Sequence, residues 1–146
     1  MPRHTIRKET ALPKIIPVPD DLSKPFWDAV NQHRLAVQHC IDCDTLQFPP
    51  RLQCQDCSSG KLDWKDTSGH GHILTYSVSE DTRLQHRVPD QPFNIALIAL
   101  DDDPRINFYS NLPGVPVKEV LIGAPVEVVF EELTPDQLIP EWKLVI

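Results

Sequence analysis

Residues 40–57, CIDCDTLQFPPRLQCQDC, hold all four cysteines of this 146-residue chain as two Cys-x-x-Cys pairs with ten residues between them. A Cys-x-x-Cys turn places two sulfurs on one side of an ion. A second turn, returned by a hairpin, completes a tetrahedron of thiolates around zinc at about 2.3 Å. Cys40, Cys43, Cys54 and Cys57 are therefore the expected metal ligands. Iron in a tetrahedral sulfur site is chemically possible as well. A redox dithiol would need a pair near a helix N-terminus to lower a thiol pKa, which the short hairpin context argues against. Four thiolates leave no open position, so the metal is expected to be structural Zn2+ holding a region too small for its own core. Glycine often follows such a pair. Asp44 and Ser58 stand there instead, and mild left-handed strain is expected at both.

The rest of the chain sorts around this clip. The N-terminus shows no apolar core with a cleavage site, and no run of about 18 apolar residues exists. A reducing, cytoplasmic setting is expected, where paired cysteines bind metal rather than form disulfides. Five of the fifteen prolines fall in the first 25 residues, so 1–21 reads as an extended arm. DDLSKPFWDAVNQHRL reads as a helix capped by Ser23, with Phe26, Ala29, Val30 and His33 on one face and Trp27 beside it. Helix and clip together make a segment 22–60, with the boundary near Gly60.

Beyond it the pattern turns to strands. GHILTYSVSE alternates, FNIALIAL is continuously apolar, and DDDPR marks a hairpin turn before INFYSNL. VKEVLIG suits a short strand or turn. APVEVVFEEL is a strand with Val126, Val128 and Phe130 on one face, and EWKLVI is the last. About five strands with regular turns predict a mainly β fold, a small barrel over 61–146.

Charge argues against one class of partner. Residues 1–60 are neutral, with seven basic and seven acidic side chains, whereas 61–146 carry seven basic and fourteen acidic. Phosphate neutralisation supplies most nucleic-acid affinity, so an acidic barrel argues against single-stranded nucleic acid. Independent catalysis also lacks support, because the thiols are committed to metal and no serine sits in a Gly-x-Ser-x-Gly setting.

FWDAVNQHRL, CIDC, FPPRLQCQDC, GHGHILTYSV and IGAPVEVVFEE, in this order over residues 22–133, resemble the DUF35 family. The resemblance implies a rubredoxin-like zinc ribbon followed by a five-stranded OB-fold barrel. It also implies association with acyl-CoA enzymes, as a non-catalytic partner of a thiolase-like subunit that carries the catalytic groups. A homodimeric partner would recruit two copies into a 2:2 heterotetramer. The small subunit would stabilise the enzyme and help shape its CoA thioester site, for cleavage, condensation or acyl transfer. The alternatives are a stand-alone acyl-CoA or CoA carrier and, disfavoured by charge, a single-stranded nucleic-acid-binding OB-fold. These 146 residues leave no room for a fused hydratase domain.

Other residues have modest claims. Arg51 could pair a CoA phosphate or a partner carboxylate, or simply cover apolar neighbours with its stem. Phe26, Trp27 and Val30 could form a docking face, or pack on the chain's own ribbon or barrel. His70 and His72 share a strand face, but exposed polarity explains them better than a second metal. His39 is spare to a full shell, and Asp101, Asp102 and Asp103 are explained by the turn.

Overall fold

The computed structural model describes residues 5–6, 15–80, 92–113, 115–116 and 119–145. Its elements are β1 (Thr5–Ile6), α1 (Lys24–Asn31), β2 (Ala36–Cys40), β3 (Leu46–Gln47), β4 (Leu62–Asp66), β5 (His70–Ser79), β6 (Phe93–Leu100), β7 (Asn107–Ser110), β8 (Pro125–Thr134) and β9 (Gln137–Leu144). The helix is shorter than the sequence suggests, and both ends have a physical cause. Asp20, rather than Ser23, does the capping. Its carboxylate accepts the Ser23 N–H at 2.7 Å, while Ser23 Oγ accepts the Asp20 N–H at 3.1 Å. This is the reciprocal exchange of a capping box, and it holds Asp20 below the usual carboxylate pKa, first through the Ser23 hydroxyl and then the Ser23 N–H. At the other end His33 takes φ 59°. The His33 N–H reaches the Val30 carbonyl and the Arg34 N–H the Ala29 carbonyl, both at 2.9 Å. That pair of bonds is a Schellman stop, with histidine in the place glycine usually takes.

Strands β3, β2 and β4 form one antiparallel sheet in that order, with Gln38 opposite both Gln47 and Trp64. The ribbon sheet therefore runs on to Asp66, because β4 pairs with β2. The second sheet has the order β7–β6–β5–β8, with β9 on the other edge of β8. Its ends meet where Ser110 Oγ on β7 accepts the Trp142 N–H of β9 at 2.9 Å. Five strands thus curl into a barrel. Of the arm, Thr5–Ile6 add a short strand parallel to β8, opposite Phe130 and Glu131. The remainder of residues 1–14 lies outside the described residues, and Ile15 and Val18 after them are exposed.

The FNIALIAL and INFYSNL segments form the expected hairpin, Ala96 facing Ser110 and Ala99 facing Asn107. VKEVLIG forms no strand among its described residues. Gly123 turns with φ 84°, and its N–H donates to the Ile73 carbonyl at 2.7 Å. Two glycines of GHGH have separate jobs. Gly69 has φ 73° at the entry to β5. A Cβ on Gly71 would run into the carbonyl oxygen of Ala99 on the neighbouring strand. No helix among the described residues is long and apolar enough to cross a membrane.

One apolar cluster serves both halves, from Phe26, Val30, Leu35 and Val37 to Ile73, Ile98, Leu100, Phe108, Val126, Phe130 and Trp142. Of the two readings of the α1 face, docking surface or packing on the chain's own core, burial favours the second for Phe26 and Val30. Phe26 and Val30 are 5% and 0% exposed, spent on the chain's own core, because the helix closes the space between ribbon and barrel. Trp27 is half-buried at the edge of the cluster, edge-on to Phe26 at 5.0 Å.

Candidate metal centre

The two knuckles are built alike. In each, the residue after the second cysteine donates its N–H to the first cysteine's carbonyl: Asp44 to Cys40 and Ser58 to Cys54, both at 2.9 Å. The first cysteine's N–H donates one residue further on, Cys40 to Thr45 and Cys54 to Ser59, both at 2.8 Å. These tight loops need a left-handed residue after the second cysteine, and Asp44 and Ser58 both have φ 62°. The sequence expectation of local left-handed backbone at those two positions matches the geometry.

The four sulfurs converge. Cys40 and Cys57 lie 3.6 Å apart, as do Cys43 and Cys54, and all four are within 4.8 Å of one another. A disulfide needs about 2.05 Å. A zinc tetrahedron with bonds of about 2.3 Å has edges of roughly 3.8 Å, so the donor set and its spacing fit structural zinc. Among the described residues this is the one group of three or more His, Cys, Asp or Glu side chains close enough to hold a metal. Without a cation, four thiolates this close cannot all ionise. The Thr45 hydroxyl, with the Thr45 N–H behind it, draws Cys43 down to about 6. The Ser59 N–H favours the Cys57 thiolate, yet the Cys43 sulfur and the other two cysteines beside it push Cys57 up to about 12. A divalent cation reverses that repulsion and expels the remaining protons.

Side chains around the shell fix its shape. His39 Nδ1 meets Asp63 at 2.7 Å and its Nε2 meets Asp44 at 3.0 Å, tying the first knuckle to β4. Both carboxylates favour the imidazolium, Asp63 more strongly, so the His39 pKa is raised. The Ser59 hydroxyl donates to Asp42 at 2.5 Å and joins the knuckles.

The Phe-Pro-Pro-Arg segment is held by two buried amides that the sequence reading missed. Gln38 and Gln47 are 4% and 1% exposed. Gln38 Oε1 accepts the Arg51 N–H at 2.8 Å, and its Nε2 donates to the Arg51 carbonyl at 3.0 Å. Gln47 Nε2 donates to Gln38 Oε1 at 2.8 Å, and Gln47 Oε1 accepts the Gln55 N–H at 2.8 Å. A buried amide must be paired, and these two are paired by the loop they hold. The one available signal was a glutamine on each strand flanking the first knuckle. Phe48 precedes a cis peptide to Pro49 and packs on Phe26 and Phe108, with ring centroids 5.0 and 4.6 Å away. Arg51 itself is exposed, as is Leu52 at 81%.

The turn residues are engaged as a turn should be. Asp101 meets His72 at 3.3 Å, Asp102 binds Ser68, and Asp103 binds Arg105. His70 and His72 form no metal group with them.

A four-cysteine ribbon packed through one helix onto a five-stranded barrel defines a class of two-part zinc-ribbon and OB-fold proteins. The chain belongs to the DUF35 family, with domains of the ChsH2 type: the ChsH2 rubredoxin-like zinc ribbon domain matches residues 27–63, and the ChsH2 C-terminal OB-fold domain matches residues 64–131. A chain of the Ltp2–ChsH2(DUF35) aldolase superposes with a TM-score of 0.79 at 27% identity, covering 89% of this chain and 99% of that one. A DUF35 protein of unknown function from Sulfolobus solfataricus has the same fold, with a TM-score of 0.60 at 17% identity and 86% of each chain covered. A probable enoyl-CoA hydratase alpha subunit from Thermomonospora curvata is 31% identical over 119 residues. The 3-oxo-4,17-pregnadiene-20-carboxyl-CoA hydratase alpha subunit of Mycobacterium tuberculosis is 28% identical over 134. The matches cover 81% and 86% of this chain but 36% and 40% of those proteins.

Proposed function

We propose that the chain is a non-catalytic accessory subunit of an acyl-CoA enzyme. The observation that carries this reading is its likeness, over 99% of the matched chain's length, to a chain of the Ltp2–ChsH2(DUF35) aldolase. Both curated relatives are alpha subunits of hydratases, one of them named for a carboxyl-CoA substrate. The internal use of every cysteine supports a scaffold rather than a nucleophile. On this reading the missing half is a thiolase-type subunit in the cytoplasm, joined as a 2:2 heterotetramer. The present chain stabilises it and helps enclose a CoA thioester for carbon–carbon cleavage, condensation or acyl transfer. Trp27 and Arg51 remain candidates for partner or CoA contact, since neither is buried. The test is co-expression with the thiolase-type protein encoded nearest to it. A complex of 2:2 mass, with activity on CoA thioesters lost when this chain is omitted, supports the reading. An enzyme equally soluble and active alone contradicts it.

The alternative reading is a stand-alone CoA-thioester binder. An open cleft of about 330 Å³ lies over β6, β7 and β9, lined by Phe93, Ile95, Tyr109, Ile139 and Pro140 with Glu141 at its edge. Calorimetry of the isolated chain with an acyl-CoA separates the two readings: one-to-one binding without a partner favours the carrier.

A further inference from the structure

The Asp-Asp-Asp-Pro-Arg turn does more than reverse the chain between β6 and β7. It makes two contacts beyond itself, one to the link between ribbon and barrel and one to the ribbon. The Asp102 carboxylate accepts the Ser68 N–H at 2.9 and 3.1 Å and the Ser68 hydroxyl at 2.6 Å. Ser68 lies in the three-residue link between β4 of the ribbon and β5 of the barrel. Arg105 forks onto Asp103 of its own turn, Nη2 to Oδ2 at 3.0 Å and Nε to Oδ1 at 3.3 Å. Its Nη1 crosses to Asp56 Oδ2, in the second knuckle, at 3.4 Å. The same Asp56 oxygen accepts the Thr45 hydroxyl at 2.9 Å, and Thr45 Oγ1 lies 3.1 Å from Cys43 Sγ. A line of hydrogen bonds therefore runs from the barrel turn through Asp56 of the second knuckle to Thr45 beside the first.

We propose that this turn couples the metal centre to the barrel, with Arg105 as a positioning residue that holds Asp56, and through it Thr45, so that the two knuckles stay closed on the metal. Groups outside a metal shell orient its ligands and change how firmly the metal is kept. Coupling free energies are reciprocal: if the barrel turn tightens metal binding, bound metal tightens the turn's hold on the rest of the chain, and Ser68, held by the same turn, reports it. The proposal rests on the structural-zinc reading of the four cysteines.

The test uses the full chain loaded with zinc, timing zinc transfer to a chromophoric chelator. Arg105→Gln is expected to release zinc roughly two- to fivefold faster, the range that an exposed ion pair carries. Arg105→Lys keeps the charge facing Asp56 and should recover part of the difference, and high salt should erase it. Ile98→Val is the control, because Ile98 is fully buried in the barrel and is no part of the line. Chelation of the wild-type protein should also speed amide exchange at Ser68. Arg105→Gln release equal to wild type, or no faster than that of Ile98→Val, overturns the proposal. So does Ser68 exchange that is indifferent to zinc. A wild-type chain that retains no zinc fails at the metal analysis before any variant is compared, and sinks the zinc reading itself.

Discussion

Replacing Phe26 by alanine separates a helix docked in the core from a helix presented to a partner. Phe26 is 5% exposed, and its ring lies 5.0 Å from Phe48 of the ribbon and 6.4 Å from Phe108 of the barrel, which continues to Trp142 at 6.2 Å. Removing a buried phenyl ring costs about 3–5 kcal/mol through lost transfer energy and the cavity left behind. A domain of this size has roughly 5–15 kcal/mol in total, so the loss is a large share. It corresponds to a fall in Tm of about 10–20 °C. Phe26→Leu keeps most of the volume and should cost under about 1.5 kcal/mol. Because the ring touches both halves, tryptophan fluorescence and zinc release in a urea titration should shift together. A Phe26→Ala loss below about 1 kcal/mol would refute the docked position. A shift confined to zinc release would refute the shared core.

Three further outcomes follow from particular contacts. Gly71→Ala should lose about 1–3 kcal/mol or more in urea unfolding, because its Cβ meets the backbone oxygen of Ala99, which cannot move aside without disturbing the β5–β6 pairing. Zinc binding at pH 7 should release protons, at least that of Cys57, which is pushed up to about 12 in the free cluster; a weakly buffered indicator dye reads this, and uptake should weaken as pH falls. Asp20 has a folded pKa below its ordinary 3.8, so its stabilisation is present above that value and is lost as pH falls through the lower one. Asp20→Asn keeps the accepting oxygen but cannot take up a proton. Urea midpoints from pH 7 to 3 should therefore decline less in the variant, and metal loss, common to both proteins, drops out of the difference.

How much was legible in the sequence depended on the range of the interaction. The knuckles were, because ligand spacing and the left-handed residues Asp44 and Ser58 are local. The barrel hairpin was, because DDDPR interrupts two apolar runs. The helix ends were misjudged: the Schellman stop falls on His33, where no glycine marks it, and Asp20 caps across a turn with Ser23. The amphipathic face of α1 announced burial without saying against what. Only the fold brings Phe26 to Phe48 and Phe108, 22 and 82 residues further along. Gln38 and Gln47 were invisible for the same reason, since a strand glutamine looks like surface until its partner loop is folded over it. That β4 joins the ribbon sheet was equally hidden, because its pairing with β2 spans the whole clip.

The most direct test of the account is capture of the tagged full-length chain from its native host, with mass spectrometry of what accompanies it. The account predicts a thiolase-type protein in equal molar amount, together with about one zinc per chain of this protein. A chain recovered alone, at concentrations where a stable complex would persist, would contradict it.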